Sequence, residues 1–333
     1  MSNQSDVIVK IDDRLRLMSA VLAATNWPDQ AQKRQPHGTH AHARATRKFL
    51  HEHTQHPAVQ SLQKLLDSGA PLEALFTFAL CLGWPGLELQ IDILPDWVPP
   101  RWIMELRDFY RVTNLADWWQ DEDAAWQKSL HESRLMLQNT AFKSFLRPFI
   151  GEVHEDLVFV PNISYPTDRE IGLRIGHELL CITAPRLAWG DSPPWPFDED
   201  PAHVYRAALS QFGRLLIVGY LRRHADAMAT ITQNPIPVSE EFGTQYTTWE
   251  EQFAALWVAA AVAIYLEDYV SQAEAKAYVL MARKAQGMTI LPGTISVLRR
   301  YINEREAGRY QDLLDFLPIF PKQLRIAKRI MTL

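Results

Sequence analysis

The stretch from Phe253 to Leu266 carries no charged residue, and Thr248-Trp249-Glu250-Glu251 stands directly before it. A Thr followed three residues on by Glu is the capping-box pattern that opens a helix. Apolar side chains around a whole helical circumference must be covered by protein on every side. The run is shorter than the roughly 20 residues a bilayer crossing takes. The pattern therefore predicts a buried helix over 249–268, and the rest of the chain has to supply the elements that enclose it.

A chain of 333 residues with 47% hydrophobic content can do so, as one large domain or two packed ones. Eleven Trp and 21 Pro point to large buried anchors and stiff loops. The net charge of −5 gives no basic field for nucleic acid or anionic lipid. The two cysteines, Cys81 and Cys181, are expected as buried free thiols in a reducing compartment. Met1 to Ala20 includes Asp6, Asp12 and Asp13 and lacks the apolar centre of a secretory signal. A soluble cytoplasmic protein, with no membrane and no nucleic-acid role, is the expectation.

Periodicity divides the chain near residue 150. The first region, 1–150, reads as helical, with helices expected near 15–22, 57–67, 71–82, 100–112 and 124–145. Pro57, Pro71 and Pro100 sit near starts, where a missing N–H costs nothing. In the second region, 151–333, Val158 to Tyr165 has strand composition, and Glu170 to Thr183 alternates with period 2. A hairpin through Pro166-Thr167-Asp168 and a small antiparallel sheet over 157–183 follow. Trp189 to Glu199 is a rigid aromatic, acidic loop. Asp200 then caps an amphipathic helix over 201–223 with Val204, Ala208, Phe212, Leu215 and Leu216 inward. Residues 234–244 read as a linker, and helices near 271–285, 294–306 and 322–331 complete a mostly helical α+β chain. The two regions are expected to pack as one unit.

Three places carry candidate chemistry. His177-Glu178-Leu179-Leu180-Cys181 offers metal-ligand residue types, but on a strand His177 and Cys181 stand roughly 13 Å apart, at about 3.3 Å per residue. An inward-facing strand histidine is the plainer expectation. His37, His40, His42, His51, His53 and His56 are six of the eleven histidines, interleaved with Lys33, Arg34, Arg44, Arg47 and Lys48. Their spacing fits no structural zinc pattern; the reading is a solvated basic surface, with metal binding by the cluster left open. On the helix over 201–223, Ser210 and Arg214 are four residues apart on one face, with Gln211 between.

Set beside the rest of the text, Leu209-Ser210-Gln211-Phe212-Gly213-Arg214-Leu215 takes on meaning. Asp13-Arg14-Leu15-Arg16-Leu17, Phe49 with His56-Pro57-Ala58-Val59, Glu250-Glu251-Gln252-Phe253-Ala254-Ala255, and Tyr310 with Asp315-Phe316-Leu317-Pro318 occur in order around it. The set resembles an uncharacterised bacterial family of gluzincin-like zinc metallopeptidases. The resemblance implies a zincin-like fold, with the metal-binding helix at 201–223 and the glutamate helix at 249–268. It would put the two His ligands at Ser210 and Arg214, the general base at Gln211 and the third ligand at Glu251. Ser is a poor zinc ligand, Arg keeps its proton, and Gln has no basic lone pair for activating water.

The reading that follows is a peptidase-like chain without its zinc site: a catalytically inactive pseudo-peptidase that binds a peptide or protein and needs no cofactor. Arg214 would fill the metal's space and pair with Glu251. The loop Trp189 to Phe197 would lid the cleft. Two alternatives stand beside it. One is an active hydrolase with ligands drawn from His177, His203, His224 and Glu251. The other is an unrelated α-rich structural or regulatory protein.

Overall fold

The structure is a computed structural model, and it describes residues 5–34, 39–167, 169–186 and 193–331. The chain forms two compact units, each assembled from separate segments. One comprises Val7–Gln138 and Asp156–Asp200; the other comprises Met1–Asp6, Asn139–Glu155 and Pro201–Leu333. The boundary expected near 150 thus falls inside a segment of the second unit.

The first unit begins with strand β1 (Val7–Val9) and helices α1 (Asp13–Ala23), α2 (Trp27–Arg34), α3 (Ala41–Phe49), α4 (Pro57–Asp67) and α5 (Leu72–Leu80). Helices α6 (Trp102–Val112), α7 (Leu115–Asp121) and α8 (Asp123–Leu137) follow. Strands β2 (Asp156–Pro161), β3 (Ile171–Ile175) and β4 (Glu178–Thr183) complete it. Every residue of α1 from Leu15 to Ala23 is buried. Even Arg16 is enclosed, its guanidinium lying 4.2 Å from the Trp119 ring and 4.3 Å from the Trp126 ring. Asp12 caps α1 and takes two bonds from the Arg14 guanidinium, at 2.9 and 2.6 Å. That guanidinium also donates to the carbonyls of Leu80 and Leu82, where α5 ends and cations are favoured.

The sheet differs from the one expected. Its order is β1-β2-β4-β3, with β1–β2 and β2–β4 parallel and only β3–β4 antiparallel. The stretch Glu170 to Thr183 is two strands, not one. It reverses at Gly176-His177, where Gly176 takes φ of 54°, as the first position of a two-residue type II′ loop requires. The register pairs Ile175 with Glu178, so the loop shifts the alternation by one residue: Leu180 and Ile182, not Leu179 and Cys181, share a face with Leu173 and Ile171. The sign of central strands was elsewhere: Leu157 to Val160 and Leu179 to Ile182 are unbroken apolar runs, buried on both faces.

Several helix expectations match: α4 spans Pro57–Asp67, with Pro57 in its first turn. The helix expected over 124–145 is broken, since α8 ends at Leu137 and the next helix starts at Phe142 beyond Asn139-Thr140. Beyond the helix expected near 15–22, Trp27-Pro28 opens a further helix, α2.

The second unit is helical: α9 (Phe142–Ile150), α10 (Pro201–Arg223), α11 (Ala225–Ile231), α12 (Glu240–Gln245) and α13 (Trp249–Tyr269). It continues with α14 (Gln272–Ala285), α15 (Leu291–Glu306), α16 (Leu313–Phe316) and α17 (Phe320–Met331). The segment read as a linker, 234–244, includes most of α12. Helix α13 is buried from Phe253 to Leu266 apart from two half-buried positions, Ala255 and Val258. Helices α10, α14 and α15 surround it. At its midpoint Gly213 of α10 faces Trp257, and a Cβ at 213 would lie 3.3 Å from the indole. Trp257 meets Phe149 edge-on at 5.4 Å, Phe149 stacks on Tyr301, and the Tyr301 hydroxyl donates to the Pro148 carbonyl at 2.9 Å. Among the described residues no helix is long and apolar enough to cross a membrane.

Because Trp257 is fully buried at this junction, Trp257→Ala is expected to lower unfolding free energy by about 3–5 kcal/mol. Urea denaturation followed by circular dichroism measures it. A loss below about 1 kcal/mol would mean that α13 is not packed as described.

Candidate functional site

Helices α10 and α13 lie against each other along much of their length. Phe212, Gly213 and Leu216 are buried, Gly213 against Trp257 of α13, and this sends the intervening positions to the flank. Ser210 and Gln211 are half-buried there and Arg214 is exposed. The Arg214 guanidinium donates to Gln211 Oε1 at 3.3 Å. It also exerts its charge on Tyr246, whose hydroxyl burial holds up in pKa and Arg214 draws partly back down.

Glu251 has a different occupation from the one expected. It is the third residue of α13, and its carboxylate closes the capping box with Thr248. Glu251 Oε2 accepts from the Thr247 N–H at 2.9 Å, the Thr247 hydroxyl at 3.2 Å and the Thr248 N–H at 3.0 Å. The Thr248 hydroxyl accepts in return from the Glu251 N–H at 3.2 Å. These bonds, that from the Thr248 backbone foremost, hold the carboxyl below the usual carboxylate range. Among the described residues no ion pair joins Glu251 to Arg214, so the expected bridge does not form. The two groups instead flank one short segment: Arg214 acts on Tyr246, and Glu251 binds the next two residues.

The donors here do not suit a divalent metal. An alcohol, an amide and a guanidinium stand at 210, 211 and 214, where the resemblance would put two imidazoles and a carboxylate, and the Glu251 carboxylate serves the α13 N-terminus. The other ligand set fares no better. His203 and His224 bound opposite ends of α10, about 31 Å apart at 1.5 Å per residue. His203 Nδ1 lies 3.2 Å from Arg206, and His224 packs on Tyr220 at 4.8 Å between ring centres. His177 is exposed in the β3–β4 turn, not inward-facing on a strand. Among the described residues no three His, Cys, Asp or Glu side chains are grouped to hold a metal ion.

The histidine cluster is not a solvated surface throughout. His40 is buried and caps α3, its Nδ1 accepting from the Ala43 N–H. His56 caps α4 by accepting from the Ala58 N–H at 3.2 Å, while its Nε2 lies 3.3 Å from Asp108. His42 Nδ1 is 3.0 Å from Glu122. His37 lies outside the described residues, as do residues 189–192 of the proposed lid. Cys81 and Cys181 are free thiols, the first half-buried and the second buried. Asp312 and Asp315 serve the short helix α16: Asp312 caps it, and Asp315 accepts from the Gln311 N–H.

Two features carry no sign in the sequence reading. Imidazole caps such as His40 and His56 lie outside the Ser, Thr, Asp and Asn preference by which caps are recognised. A groove of about 350 Å³ runs beside α14, where no site was expected. The exposed Leu280 and Met281 within a polar stretch are the signal that could have marked it. No family model, curated protein or solved structure matches this chain.

His40 yields a pH prediction. Burial lowers its pKa from 6.5 to about 3, so the unfolded chain takes up a proton that the folded chain refuses. Its stabilising contribution is complete above pH 6.5 and is lost as pH falls from there towards 3. Unfolding free energy should drop by up to about 1.4 kcal/mol per pH unit across that window. His40→Asn, which keeps a capping oxygen and does not titrate, should flatten the slope in urea melts at stepped pH. Separately, Thr248→Ala should cost about 1 kcal/mol by removing the α13 cap; an unchanged midpoint would contradict the cap geometry.

Proposed function

We propose that this chain is a metal-free, non-catalytic binding protein built on a gluzincin-like pair of helices, with a peptide or protein segment as its ligand. The observation that carries the reading is the chemistry of one position set. Helices α10 and α13 pack against each other, and the flank of α10 presents Ser210, Gln211 and Arg214 where the resemblance puts two imidazoles and a carboxylate. Glu251, the single residue that matches the family's ligands, stabilises the start of α13. In that pattern, hydrolysis by zinc-polarised water uses two neutral imidazoles and a carboxylate base, and Ser210, Gln211 and Arg214 supply neither.

The surviving frame can still bind. A half-buried flank with a hydroxyl, an amide and a guanidinium offers donors and acceptors suited to a peptide backbone or a carboxylate. Loss of the metal removes cleavage and leaves recognition, which is how a peptidase scaffold becomes a binding module.

Restoring the motif tests both halves. The purified wild-type chain should retain no stoichiometric zinc after dialysis, measured by plasma mass spectrometry. The triple variant Ser210→His, Gln211→Glu, Arg214→His should take up about one zinc per chain, since Glu251 already stands at the third ligand's position in the sequence. Stoichiometric zinc in the wild type would overturn the metal-free reading. A triple variant that folds but binds no zinc would overturn the gluzincin-like frame and favour an unrelated helical protein.

A further inference from the structure

Helix α14 joins α13 through Val270-Ser271, and one face of it is not covered. Gln272, Ala275, Lys276, Val279, Leu280 and Arg283 follow the i, i+3, i+4, i+7 spacing of a single helical stripe. With Ala263 and Glu267 of α13 and Ile295 of α15 they line a groove of about 350 Å³. From Gln272 to Arg283 the stripe is about 16 Å long at 1.5 Å per residue. Its floor is apolar: Ala263 and Ala275 are buried, and Val279 and Ile295 are half-buried. Leu280 on its rim is 48% exposed, and the neighbouring Met281 is 62% exposed.

The charges on this groove are unbalanced. Its only acid, Glu267, is held by Arg299 at 2.7 Å, and Arg299 also takes Asp268 at 2.8 Å. Lys276 and Arg283 lie two turns apart on the same face, and among the described residues no ion pair or hydrogen bond engages either one. The groove therefore offers an apolar floor between two uncommitted cations, on a chain whose net charge is −5.

We propose that this groove docks an acidic amphipathic helix of a partner protein. The complementary helix carries acidic residues two turns apart, matching Lys276 and Arg283, and apolar residues at i, i+3 and i+4 between them, seated on Val279, Leu280 and Ile295. Leu and Met side chains at the rim can repack around such an anchor. The charge pairs set orientation and encounter rate, and the apolar contact supplies most of the affinity. None of Ser210, Gln211, Arg214 or Glu251 takes part, so this site stands or falls separately from the reading of α10.

The test uses the full chain and two labelled helical peptides of about 15 residues, followed by fluorescence polarisation. Both carry leucines at i, i+3 and i+4; one has Glu and the other Lys at two positions seven residues apart that bracket the leucines. The Glu peptide should bind saturably, at least about tenfold more tightly than the Lys peptide, and more weakly as salt rises. The double variant Lys276→Glu, Arg283→Glu should reverse the preference, and Leu280→Ala should weaken both peptides. These positions are exposed, so circular dichroism should show an unchanged fold. Absent binding, equal binding of the two peptides, or no reversal in the charge-swapped variant would overturn the proposal. So would concentration-dependent dimerisation, by size exclusion, that Leu280→Ala abolishes, because a second copy would then be the occupant.

Discussion

The helical unit depends on keeping α13 dry. A helix buried on every side has no polar face on which to absorb misplacement, so its neighbours must approach closely and interlock. Gly213 is where that demand is sharpest: with no side chain there, the α10 backbone comes up against the Trp257 indole. The ring then hands the contact on to Phe149, and through it to Tyr301 on α15. Once Phe212, Gly213 and Leu216 are committed inward, the directions of Ser210, Gln211 and Arg214 are settled by the helical repeat. The candidate site is thus a by-product of packing at the glycine–tryptophan contact, and its chemistry is whatever residues stand on the flank.

Elements with punctuation at both ends were legible from the text. Thr248 and Glu251 mark the start of α13, Pro57 marks α4, and both helices begin where their local chemistry says. The sheet was misread because two signals conflicted. Alternation from Ile171 to Cys181 suggested one amphipathic strand, whereas Leu179-Leu180-Cys181-Ile182 is the unbroken run of a strand enclosed on both faces. The second signal was the better one, and the parallel pairing of β4 with β2 follows from it. The break between α8 and α9 was harder to see. The apolar pattern resumes beyond Asn139-Thr140, and no proline marks the gap.

Residue type and spacing identified the candidate positions but left their roles open. Glu251 fits two descriptions at once, a capping-box glutamate and a metal-ligating glutamate, and in the fold its Oε2 accepts three hydrogen bonds from Thr247 and Thr248. Only geometry separates the two uses. The same holds for the histidines. His40 and His56 read as metal ligands or solvated cations, yet each accepts from a backbone N–H through Nδ1, and burial lowers the pKa of His40. Imidazole as a helix cap is a tertiary effect: it depends on what excludes water around the ring, which spacing does not encode.

A similar argument separates what α14 needs from what it carries. To cover α13 it requires small residues on one face, and Ala275 and Ala282 meet that need while remaining buried. The rest of its surface could be wholly polar at no cost to the core. Leu280 and Met281 are not, and each keeps about half or more of its surface in water. Apolar area left in water forgoes roughly 25 cal/mol per Å² that burial would return. A lone exposed leucine would call for no explanation, but this one continues a groove floored by Val279 and Ile295 and bounded by two cations with no internal partner. Folding does not require these features together. A contact made outside the chain accounts for all of them: it would bury the apolar rim and neutralise Lys276 and Arg283 in one step.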